Sequence, residues 1–155
     1  MRLSKNFVLS EITRSNTAKR LGIDNEPTKK DLENLQRIVT NLLQPVRNHL
    51  GPIRISSGYR SKELNRAIGG SNKSQHSKGE AVDIQFWKDG KMCNKEVYDW
   101  IIDNAVEFDQ MINEFDFSWI HISLKKSNNR REVLEAYKDK DGDTKYRFAP
   151  DIITL

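Results

Sequence analysis

The 155-residue chain predicts one α+β domain, a small antiparallel sheet flanked by helices. Three observations carry that prediction. Apolar residues recur at helical spacing through residues 28–50, and a second helical pattern opens at Asn94. Beyond residue 110 the pattern shortens into alternating runs separated by turn residues, so strands dominate late. No internal repeat or linker-like stretch divides the chain, and its length suits a single core.

Residues 5–26 are polar with scattered apolar positions and read as a capping segment with one short helix around Ser10–Leu21. Thr28 opens the first long helix, because Thr28-Lys29-Lys30-Asp31 approximates a capping box with aspartate in the acidic position. Leu32, Leu35, Ile38, Val39, Leu42, Leu43, Val46 and Leu50 then form one apolar stripe. Pro45 is expected to kink or restart this helix, and Gly51-Pro52 to end it. His49, near the helix end, reads as a surface histidine that complements the dipole.

Ile53–Ser56 alternates as a strand, Ser57–Ser61 turns out of it, and Lys62–Ala67 forms a short helix. A flexible loop, Gly69–Ser74, leads towards the next strand, Ala81–Phe86, which ends at the turn signal Asp89-Gly90. Asn94 is expected to cap the second long helix, with Val97, Trp100, Ile101, Ala105 and Phe108 on its inner face. Gln110–Phe115 with Trp119–Leu124 reads as one hairpin, and Glu132–Lys138 with Thr144–Phe148 as another.

Charged residues make up 31% of the chain with both signs mixed, which excludes a disordered polyelectrolyte. The net charge of +4 and a pI near 9.2 suit an anionic partner such as nucleic acid, an acidic membrane surface or a bacterial wall polymer. No recognisable nucleic-acid motif or basic-aromatic stripe is present, so a nucleic-acid partner is not expected. Cys93 is the one cysteine, which excludes an intrachain disulfide and any multi-cysteine zinc site. The N-terminus has neither a long apolar run nor a small-residue cleavage site, and no stretch approaches a membrane span. The expectation is a monomer made in the cytoplasm without a signal peptide. Asp139-Lys140-Asp141-Gly142-Asp143 resembles the start of a calcium loop, but Thr144 and Pro150 fall where glycine and an acid are required. Asp141-Gly142 reads instead as a hairpin turn.

The stretch that bears chemistry is Ser74-Gln75-His76-Ser77-Lys78-Gly79-Glu80-Ala81-Val82-Asp83. A catalytic zinc ion takes three nitrogen or oxygen ligands and keeps a fourth position for water. His76 lies at a loop end, Asp83 on the following strand, and Gly79 permits a sharp bend between them. A third ligand is available at His121, where alternation turns the ring away from Ile120 and Ile122. Spacing alone leaves two readings open: a two-histidine, one-aspartate zinc site, or three side chains in ordinary hydrogen bonds.

Ser74-x-His76-x-x-Gly79-x-Ala81-x-Asp83, followed by Trp119-x-His121-x-Ser123, resembles the zinc D-Ala-D-Ala carboxypeptidase family. That family belongs with the lysostaphin-type and hedgehog-like zinc peptidases and includes phage endolysins that cleave peptidoglycan peptides. The likeness extends upstream to Ile55–Ser61 and Leu64-Asn65 and covers roughly residues 28–124. It implies one Zn2+ held by His76, Asp83 and His121. It also implies Arg60 as the residue that binds a peptide carbonyl or carboxylate, for which the planar guanidinium fork is suited. Ser74 would be a lesser substrate contact.

The implied reaction needs a general base that takes a proton from the attacking water and returns it to the leaving amine. Many relatives carry an acid three residues before the last histidine, but that position here is Ser118. Glu114 and Asp116 lie nearby. A two-residue turn at Phe117-Ser118 would pair Asp116 with Trp119 and Glu114 with His121, which favours Glu114 over Asp116 as the base. The resemblance thus implies a zinc peptidase of the peptidoglycan stem peptide, of phage-lysin type, acting on the wall once the membrane is breached. The competing expectation is a non-catalytic zinc-containing structural or wall-binding domain, such as a virion component.

Overall fold

A computed structural model describes residues 1–104 and 106–149. The α+β class is observed, and the sheet is larger than the sequence suggests. Its strands are β1 (Ile53–Ser57), β2 (Ala81–Lys88), β3 (Lys91–Met92), β4 (Gln110–Glu114), β5 (Trp119–Ser123), β6 (Glu132–Lys138) and β7 (Thr144–Phe148). They run in the order β1-β2-β5-β4-β6-β7, with β3 paired to β2 outside that path. Pairing is antiparallel except between β4 and β6, so the expected antiparallel sheet is a mixed one. The connection after β5 crosses β4 and delivers β6 parallel to it. Arg130 anchors that connection by donating twice to Asp109.

Helices α1 (Leu9–Thr13) and α2 (Asn16–Leu21) replace the one short helix expected around Ser10–Leu21. Ser15 divides them: its backbone is extended and its hydroxyl accepts from Ala18 N–H, starting a new helix where one continuous helix was expected. The long helical stretch begins as α3 (Lys29–Ile38), with Thr28 Oγ1 accepting from Asp31 N–H as its cap. A π-helical turn, Val39–Leu43, precedes α4 (Gln44–Leu50). Pro45 has no N–H to donate to the preceding turn, and the wider π-helical turn precedes it in the chain. Leu35, Ile38, Val39, Leu42, Leu43 and Val46 are all fully buried. Removing a side chain such as Leu42 to alanine would cost about 2–5 kcal/mol.

After β1 come α5 (Lys62–Ala67) and a 3-10 turn, Gln75–Lys78. Helix α6 spans Asn94–Asp103, with Val97, Tyr98 and Ile101 buried. Phe108 is also buried but lies beyond the helix end, and Ala105 lies outside the described residues. Cys93 occupies the cap position that the sequence suggested for Asn94. The Asn94 amide is used elsewhere: its Oδ1 accepts from Phe86 N–H at 2.7 Å and its Nδ2 donates to the Phe117 carbonyl at 2.7 Å. This residue therefore ties β2 to the β4–β5 loop.

Alternation gives the sheet two different faces. Val82, Ile84, Phe86, Ile120, Ile122 and Met111 join the helices in one buried cluster. Asp83, His121, Ile112 and Glu114 lie on the opposite face. No helix among the described residues is long and apolar enough to cross a membrane.

Candidate metal centre

His121 and Asp83 occupy directly paired positions on β5 and β2, so their side chains emerge together on one face. His121 Nδ1 and Asp83 Oδ1 are 2.9 Å apart. His76 reaches the same carboxylate oxygen from the 3-10 turn, with Nε2 at 3.5 Å. The turn is set by Ser74, whose hydroxyl accepts from His76 N–H, and by Gly79 at φ +73°. A Cβ at Gly79 would stand 2.4 Å from the Asp31 carbonyl oxygen, so glycine there serves both the left-handed backbone and the close approach of α3.

His76 is itself oriented by the backbone. Its Nδ1 lies 2.8 Å from the Gly58 carbonyl, so Nδ1–H donates there and Nε2 is left free to face Asp83. Gly58 can hold this position because it packs against Ile12; a Cβ would stand 2.2 Å from the Ile12 carbonyl oxygen. Asn25 steadies the same turn by donating to the Thr13 and Tyr59 carbonyls and accepting from Ser61 N–H.

The three donors lie within 4.8 Å of one another. Tetrahedral zinc with bonds of about 2.0–2.2 Å separates its ligands by roughly 3.4 Å, so these side chains fit the ion with small adjustment. Two neutral imidazoles and one carboxylate are also the right chemistry for zinc. Burial would raise the pKa of Asp83, but the hydrogen bonds and charges of His121 and His76 outweigh it and hold the group well below the ordinary carboxylate range.

A cavity of about 810 Å³ opens over these residues and is lined also by Arg60, Ser74 and Glu114. Among the described residues the Arg60 Nε is buried with no hydrogen-bond partner, and its backbone N–H donates to the His76 carbonyl. Burial lowers the pKa of its guanidinium while the Asp83 charge raises it. Ser74 borders the cavity with its hydroxyl engaged by the His76 amide.

The hairpin register differs from the expected one. Glu114 pairs with Trp119 and Ile112 with His121, so the loop contains Phe115, Asp116, Phe117 and Ser118. The first three adopt φ of 52°, 55° and 59°, a left-handed run that sequence rules disfavour for phenylalanine. Asn113 Oδ1 accepts from Phe117 N–H and Asn94 donates to the Phe117 carbonyl, which satisfies the loop backbone. The shift is two residues, and parity is kept. Glu114 therefore remains on the same face as His121 and Asp83, 8% exposed, with burial pushing its pKa up to about 7. Asp116 sits in the loop and does not line the cavity.

One supporting network was not anticipated. Asp109 is 1% exposed, accepts from the Arg130 guanidinium and backbone, and accepts from Gln75 Nε2 at 3.1 Å. It ties the residue next to His76 to the sheet. Gln75 stands beside the motif in sequence, but its side-chain partner Asp109 is 34 residues away and no local pattern pairs them.

Two histidines and one carboxylate that could hold a metal ion lie on the floor of an open cleft, with the buried Glu114 beside them. The peptidase M15 family model matches residues 5–123, and the chain belongs to that family, which is of the zinc D-Ala-D-Ala carboxypeptidase type. The match begins upstream of the motif region and includes the N-terminal helices that brace Gly58. No curated protein matches the chain.

Proposed function

We propose that this metallopeptidase hydrolyses peptide bonds in peptidoglycan stem peptides, cutting D-Ala-D-Ala or L-Ala-D-Glu, as a phage-type wall lysin. The observation that carries the reading is the convergence of His76, Asp83 and His121 beside Glu114 on one cavity floor. The basic charge of the chain suits an anionic wall.

His76 through Nε2, Asp83 through Oδ1 and His121 through Nδ1 would hold the ion. A zinc ion bound there supplies Lewis-acid polarisation of the scissile carbonyl and a water acidic enough to ionise near neutral pH. Glu114 accepts the proton of the attacking water and returns it to the leaving amine. Its buried setting favours this role, since burial raises its carboxyl pKa above the ordinary range and makes it a better proton acceptor. Arg60, which lines the cavity, binds the substrate carbonyl or carboxylate through its guanidinium and orients it. Ser74 contributes a weaker contact at the rim, because its hydroxyl also caps the His76 turn.

The test is digestion of purified peptidoglycan and soluble stem pentapeptide by the zinc-loaded protein, with products read by mass spectrometry. Release of D-Ala or of an L-Ala-terminated fragment supports the reading. Stoichiometric zinc with intact wall and intact peptide refutes it.

A further inference from the structure

The β6–β7 hairpin lies beyond residue 123, where the family match ends, yet it builds one wall of the cavity over the metal centre. Its register is informative. Trp119, Glu114, Ala136 and Tyr146 are directly paired in succession across β5, β4, β6 and β7. Paired positions share a face, and adjacent strands lie about 4.8 Å apart. Tyr146 therefore stands on the face of Glu114, two strands away, with only the small Ala136 side chain between them.

Tyr146 lines the cavity and its hydroxyl makes no hydrogen bond among the described residues. Burial raises its phenol pKa, followed by the charges of Glu114 and Asp83. One paired position along the same face, Lys138 lies opposite Thr144, donates to its hydroxyl at 2.6 Å, and makes no ion pair among the described residues. Lys138 also lines the cavity. A phenol donor and an ammonium with no acid partner stand together at the β7 end of the cleft, while Arg60 follows β1 at the other end.

We propose that Tyr146 and Lys138 form a carboxylate-binding subsite that makes this peptidase select peptides with a free acid group on the β7 side of the scissile bond. The phenol O–H and the ammonium both donate to the carboxylate, and the charge makes the contact about twice as strong as a neutral one. The subsite rests on the peptidase reading given above and specifies its substrate class.

The experiment compares the stem pentapeptide carrying a free D-Glu α-carboxylate with the same peptide amidated at that carboxylate. KM is measured for the zinc-loaded protein, and Kd by calorimetry with the Glu114→Gln protein. The free acid is expected to bind roughly tenfold tighter in both measurements. Tyr146→Phe combined with Lys138→Ala is expected to bring that preference to near unity, with zinc content and melting temperature unchanged. Lys145→Ala, on the opposite face of β7, serves as the control and keeps the preference. An undiminished preference in the double variant, or no preference in the parent protein, overturns the subsite. Failure of the parent protein to bind or cut either peptide instead overturns the stem-peptide reading, and the subsite with it.

Discussion

Glu114 stands diagonally across the β4–β5 pair from His121, its direct partner being Trp119. Diagonal neighbours on one sheet face lie about 7–8 Å apart between Cα atoms, within reach of a glutamate side chain and a bound water. That relationship supports the proposed proton-transfer role of Glu114, while Asp116 lies in the loop. Glu114→Gln should retain zinc but lose turnover by roughly 10²–10⁴-fold, the usual contribution of a positioned acid–base group. Asp116→Asn should stay within about twofold of the parent protein, as an exchange outside the cavity. Metal analysis alongside kcat separates the two; a silent Glu114→Gln would remove this residue from the mechanism.

Arg60→Lys keeps the charge but loses the planar fork. Its kcat/KM should fall roughly 10–100-fold with zinc content unchanged, since one bidentate charge-assisted contact is replaced by a single donor. Full activity in this variant would show that Arg60 is not a substrate ligand.

Gly58→Ala places a methyl group against the Ile12 carbonyl and displaces the backbone oxygen that orients His76. The protein should lose about 1–3 kcal/mol of stability, the range for overpacking. Its zinc affinity should drop roughly 10–100-fold, as when a metal-bound histidine loses its hydrogen-bond partner. Thermal unfolding of the metal-free form and competitive zinc titration report the two effects separately.

Asp109 supplies a pH test. Burial would raise its pKa, but the hydrogen bonds and charge of Arg130 outweigh it and hold the group at about 2. A folded-state pKa below the unfolded value gives stability that is fully present above about pH 4. It is lost as pH falls through about 2, and its size is about 2 kcal/mol. Urea unfolding of the parent protein should weaken across that window, and Asp109→Asn should flatten this part of the profile. Equal acid sensitivity in both proteins would contradict the assignment.

The helices and strands that bear the site were legible because each is a local pattern. The stripe from Leu32 to Leu50, the alternation of Trp119–Ser123 and the cap at Thr28 are written within a few residues of where they act. The grouping of His76, Asp83 and His121 was legible only through the family resemblance, because spacing alone left it open. The hairpin register was not legible, because the left-handed run Phe115–Phe117 is held by Asn113 and by Asn94, which lies over 20 residues away from Phe117. The parallel β4–β6 pair and the Asp109–Gln75 link depend likewise on distant partners. Pro45 marked a break in the helix, but an expected kink or restart did not specify the π-helical turn Val39–Leu43 that precedes α4.

Metal-dependent hydrolysis at His76, Asp83 and His121 is the property on which every proposed role depends. The most direct measurement follows products from purified peptidoglycan by mass spectrometry, using the parent protein, the chelated protein before and after zinc return, and His76→Ala. The parent should cleave, lose activity on chelation and regain it with zinc, while His76→Ala should stay inactive at the same zinc concentration. Undiminished cleavage after metal removal, or full activity in His76→Ala, would contradict metal-dependent hydrolysis at this site.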